Sequence, residues 1–130
     1  MQSLLPISSL YVPFFGLMFV VITMRVGNYR RENQLPFGEG GDKKFLALVR
    51  AQANFTESVP IAVVILVLLE LAGQSASMMH GLFVALILGR TLHYLQLTGV
   101  FNAVLIRILG MLLTLGPILV ASIALALRAV

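Results

Sequence analysis

Arg50, Asn54 and Glu57 stand four and three residues apart within KFLALVRAQANFTESVPIAVVILVLLELAG, a segment otherwise suited to lipid. On a helix those steps return to one face. Arg90, His93, Tyr94 and Leu97 repeat such steps in GRTLHYLQL, and Arg107 follows near the start of the next apolar run. A guanidinium grips a carboxylate at two points, while Glu57 and Asn54 offer acceptors for an ammonium and an amide. The constellation suits a small zwitterionic peptide, although nucleotides, lipid phosphates and acidic metabolites would also attract arginines. Each charge at membrane depth costs roughly 2.5–3.5 kcal/mol and so faces a partner or a polar cavity.

The elements that must carry these residues follow from composition. Of 130 residues, 59% are hydrophobic and only 11% charged, and the mean hydropathy is +1.00. A helix needs about 20 mostly apolar residues to span a bilayer. Four such runs are predicted at about 4–26, 44–72, 78–97 and 102–127, separated by RRENQLPFGEGGDKK, GQSAS and LTGVFN. They use most of residues 1–130 and leave no room for a soluble domain. The first run is read as a retained helix rather than a secretory signal, because its first charge, Arg25, lies at the wrong end. No run alternates apolar and polar residues as barrel strands do. The predicted fold class is all-α, an integral membrane four-helix bundle forming a single domain.

Loop charge orients the bundle. Arg25, Arg30, Arg31, Lys43 and Lys44 gather around the first connection, whereas GQSAS carries no charge. Cytoplasmic loops collect Lys and Arg, so the first connection is expected in the cytoplasm, with both termini outside the cell membrane. Arg50, Asn54, Glu57, Arg90, His93 and Arg107 then share one depth, near the inner leaflet, and a single pocket. Gly81, Ala85 and Gly89 form a ridge of small residues that permits close helix contact. His93 continues it. Pro60 removes a backbone donor beside Glu57, and a bend there would open space for a ligand.

Plainer roles compete with these. Arg50 and Glu57 could form a packing ion pair, Arg25 and Arg107 could snorkel to the interface, and His93 could be a hydrogen-bonded interior residue. Glu70, His80 and Arg128 read as interfacial. FGEGG lacks the lysine and Ser/Thr of a phosphate loop and reads as a flexible turn. The net charge of +4 is spread among acidic residues, which argues against nucleic acid as a partner. Without cysteine there is no disulfide, thiolate metal site or cysteine nucleophile. Sulfur chemistry would need a thiol from outside.

RAQANFTESVP, read as Arg-x-Gln-x-Asn-x-x-Glu-x-x-Pro, with GRTLHY and Arg107, resembles the membrane-associated proteins in eicosanoid and glutathione metabolism, the MAPEG family. That family includes the microsomal glutathione transferases and the leukotriene-forming and prostaglandin-forming synthases. The similarity covers the chain in length, span number and motif order, and the compact first loop resembles a bacterial member. The resemblance implies a homotrimer with glutathione sites between neighbouring subunits near the cytoplasmic face. It implies that Arg50, Asn54 and Glu57 hold the tripeptide, that Gln52 and Arg25 reach it from the adjacent subunit, and that Arg90 and His93 line the site. Arg107 matches the arginine that keeps the thiol as thiolate, for attack on a lipophilic electrophile or reduction of a hydroperoxide. A free thiol titrates at roughly 8.5, and a nearby cation lowers that value.

Two positions depart from the family pattern. Ser58 and Leu97 stand where tyrosines are common, so contacts to the peptide's cysteine and amino end are expected to differ. Two other classes of protein also fit a short four-span chain. A proton-coupled multidrug exporter would use Glu57 as a lone carboxylate in an apolar pocket, yet Arg50, Arg90 and Arg107 would repel its cationic drugs. A non-catalytic membrane subunit would tolerate loss of Arg107 or Glu57 without loss of ligand binding.

Overall fold

The computed structural model describes residues 4–35, 37, 38 and 40–128. Four helices account for most of them: α1 (Pro6–Glu32), α2 (Lys43–Leu71), α3 (Ala76–Leu97) and α4 (Val104–Arg128). All four are long and apolar enough to cross a membrane, and the described residues include no strand. α3 and α4 share the most extensive contact, α1 packs chiefly on α2, and α2 bridges the two pairs.

α1 runs one and a half turns beyond its predicted end near residue 26. Polar contacts there replace lipid as its support. Tyr29 stacks on Phe45 with ring centroids 5.6 Å apart, the Arg30 guanidinium lies 4.8 Å from the Phe45 ring centroid, and the Tyr29 hydroxyl donates to Asp42 at 2.8 Å. Arg30 and Arg31 also place positive charge on the helix's final carbonyls, where the dipole favours it. Asp42 caps α2 by accepting from the Lys44 and Phe45 amides at 2.9 and 3.1 Å, as capping residues do. In the turn between them Gly38, Gly40 and Gly41 all have positive φ, which only glycine adopts without strain. Glu39, part of the predicted FGEGG turn, lies outside the described residues.

The main core joins Phe15 and Ile22 of α1 to Phe55, Val59, Ala62 and Leu66 of α2 and to Met79, Phe83 and Leu86 of α3. α4 contributes Ala121 to it, the last of a buried stripe of small or compact residues, Gly110, Thr114, Pro117 and Ala121, at helical spacings of four, three and four. Glycines set how near α3 and α4 come. A Cβ on Gly89 would lie 2.8 Å from the Leu113 backbone, and one on Gly110 would lie 3.0 Å from the His93 nitrogen. Gly81, expected on the same ridge, has open space around it instead, so of these two glycines only Gly89, at the end of α3 that carries Arg90 and His93, is needed for the contact.

At the opposite end of the bundle Glu70 departs from its expected interfacial role. It is buried and accepts from the Ile7 and Ser8 amides, each at 2.7 Å. α1 opens on Leu5 and Pro6 with no side-chain cap of its own, and a carboxylate from the end of α2 satisfies its free donors. Arg128 similarly donates to the Ala72 carbonyl at 2.8 Å, beyond the end of α2.

Candidate functional site

The first half of α2, the second half of α3 and the start of α4 meet at one end of the bundle, and a cleft opens there. Arg50, Ala53, Asn54, Glu57, His93, Leu97, Arg107 and Met111 line it, around a volume of about 140 Å³. The residues come from three helices, and each set occupies a single helical face. Arg50, Glu57 and Arg107 are exposed. Among the described residues their side chains hold no hydrogen bond or ion pair, so the packing pair considered for Arg50 and Glu57 is not formed. Two guanidinium groups and a carboxylate are thus free to meet a guest.

His93 is buried in the wall, with Arg90 and Arg107 as its charged neighbours. Its Nδ1 has no hydrogen-bond partner. The close approach at Gly110 presses the start of α4 against the His93 backbone, which is what brings Arg107 beside the α3 residues. Leu97 and Met111 give the cleft an apolar side.

Arg90, expected to line the site, lies behind it. Only 3% of its surface is exposed, and its donors are turned to neighbouring helices: Nε to Thr114 Oγ1 at 3.0 Å, and one terminal nitrogen to Ser58 Oγ at 2.7 Å and Asn54 Oδ1 at 2.8 Å. Ser58 and Thr114 are therefore parts of the site's support that the spacing of charges did not point to. The signal for Thr114 is its place in the small-residue stripe of α4. Asn54, read as an acceptor for the guest, has its oxygen occupied by Arg90.

Arg25 and Gln52 line no part of this cleft within one chain. The Arg25 guanidinium donates to the Tyr94 hydroxyl at 3.3 Å, and the Gln52 amide donates to Thr23 Oγ1 at 3.0 Å across the α1–α2 contact. Pro60 does not open the cleft either. α2 continues through it, and Pro60 instead borders an apolar groove of about 560 Å³ between α1 and α2, with Phe15, Phe19 and Phe55.

Four helices long and apolar enough to cross a membrane, with a cationic cleft at one end, place the chain in the class of integral membrane proteins. The sequence profile of the MAPEG family matches residues 8–127, and the chain belongs to that family. It is also similar to the inner membrane protein YecN of Escherichia coli K12, 28% identical over 88 residues that cover 68% of this chain and 67% of that protein. YecN of Escherichia coli O6:H1 matches to the same extent.

Proposed function

We propose that the chain is a glutathione-dependent transferase or peroxidase of the inner membrane, which binds the tripeptide in the α2–α3–α4 cleft and activates its thiol. The observation that carries this reading is the convergence of unpaired Arg50, Glu57 and Arg107 on one cleft with Asn54 and His93. Arg50 and Arg107 supply positive charge to the carboxylates and the sulfur, and Glu57 accepts from the ammonium. A guanidinium beside the sulfur favours thiolate over thiol, so Arg107 is the residue that makes the nucleophile. Thiolate attack on an electrophilic carbon then forms a thioether, either as a leaving group such as halide departs with its bonding pair or, at an activated alkene or epoxide, as the resulting anion takes a proton from water. With a hydroperoxide, thiolate attack on oxygen releases an alcohol, and a second glutathione resolves the oxidised sulfur to a disulfide.

A volume of about 140 Å³ is well below the roughly 300 Å³ at which pockets enclose a drug-sized ligand. The small volume supports completion of each site by a neighbouring subunit, and the family resemblance makes that assembly a homotrimer in which Arg25 and Gln52 are the residues supplied. The gathering of Arg25, Arg30, Arg31, Lys43 and Lys44 at the same end supports a cytoplasmic site with both termini outside. Export of cationic drugs fits less well, because Arg50 and Arg107 share the cleft of Glu57 and would repel the cargo.

Calorimetry of glutathione binding to the purified protein in detergent tests the reading. Micromolar to millimolar binding that Glu57→Gln weakens at least fivefold is expected. Absence of binding to the wild type overturns it.

A further inference from the structure

Arg90 draws together three helices through neutral acceptors. Besides its bonds to Thr114, Ser58 and the Asn54 side chain, the same terminal nitrogen lies 3.2 Å from the Asn54 backbone carbonyl. Both hydroxyls are oriented to receive it. Ser58 gives its proton to the Asn54 carbonyl at 2.7 Å, and Thr114 gives its proton to the Gly110 carbonyl at 2.8 Å, so each turns a lone pair to the guanidinium. A guanidinium has donors only. The Asn54 atom 2.8 Å from it is consequently the oxygen, and the amide cannot be turned the other way without placing two donors together. What Asn54 retains is Nδ2, which is neither buried nor bonded among the described residues, on a residue that lines the cleft.

We propose that Arg90 is a positioning residue that commits Asn54 to act as a hydrogen-bond donor in the cleft, so that the part of the guest meeting Asn54 is a carboxylate or amide oxygen and not an ammonium. Donors then come from Arg50, Arg107 and Asn54, against the single carboxylate of Glu57. That balance selects a guest with more than one anionic or carbonyl oxygen group and one ammonium. The inference rests on the glutathione reading for the choice of guest but not for the orientation of the amide.

The sign of one substitution decides it. Asn54→Asp keeps an oxygen for Arg90 and replaces the outward amide by a second, anionic oxygen. Calorimetry on the full-length protein in detergent, with glutathione and separately with glutarate as probes, is expected to show binding weakened at least tenfold by Asn54→Asp. Equal or tighter binding overturns the proposal, because it would mean that the guest presents a donor there. If the wild type binds glutarate and not glutathione, the tripeptide reading fails, and weakening of glutarate binding by Asn54→Asp still upholds the donor role. If it binds neither, both are overturned. A second measurement does not depend on Asn54→Asp folding: Arg90→Gln and Asn54→Ala, alone and combined, are expected to give losses that do not multiply, since both act through one amide. Losses that multiply would contradict the positioning role.

Discussion

Arg107 and Glu70 are both charged residues on helices of an apolar bundle, and they do opposite things. The Arg107 side chain is exposed in the cleft with no hydrogen-bond or ion-pair partner among the described residues, so its removal is expected to leave the fold intact. Arg107→Ala should return the bound thiol toward its ordinary value near 8.5, read as thiolate absorbance against pH, while glutathione affinity falls only a few-fold. Glu70 closes the start of α1 with two bonds of 2.7 Å. Hydrogen bonds to a charged group contribute about 1.5–3 kcal/mol, so Glu70→Ala should lower the unfolding temperature without changing glutathione affinity. Asp42 gives a pH dependence. The Tyr29 hydroxyl first, then the Phe45 amide, hold its carboxyl below the ordinary carboxylate value. Its contribution is complete above about pH 4 and is lost as pH falls through the lower folded value. Protection of the Lys44 and Phe45 amides, read as hydrogen exchange relative to the intrinsic rate at each pH, should fall over that acid range, and Asp42→Ala should show the lower protection already at neutral pH.

Between elements, the α3–α4 contact sets the geometry of the cleft. A Cβ on Gly89 would meet backbone and Thr114 Oγ1 at 2.8 Å, and neither can move aside without shifting α4. Overpacking of this kind costs about 1–3 kcal/mol. Gly89→Ala is expected to lower stability by that amount in thermal unfolding, and to weaken glutathione binding by displacing Arg107. Gly81→Ala, in open space, should be neutral or slightly stabilising. The sequence distinguishes these two glycines poorly, because both lie on one ridge of α3, and only the partner helix decides which is used. The same limit applies to Arg90. Its periodicity puts it with His93, but Ser58 and Thr114, on other helices, draw its guanidinium behind the wall. Arg50, Asn54, Glu57, His93 and Arg107 were legible together, since three alternating spans with one polar end each must bring those ends to one side. The capping role of Glu70 was not, as its partners are more than sixty residues away in the chain.

On the scale of the molecule, four spans enclose a polar site that one chain leaves small and open. The free guanidinium groups of Arg50 and Arg107 are tolerable only where water or an anion reaches them, and an acidic thiol peptide would satisfy both while gaining reactivity from the second. The claim at the centre of this account is that the cleft converts bound glutathione to its thiolate. Titration of thiolate absorbance for glutathione bound to the wild-type protein in detergent tests it most directly. The expected result is a thiol that ionises at least one pH unit below its free value near 8.5 and reverts in Arg107→Ala; a bound thiol that ionises at the free value in both proteins would contradict it.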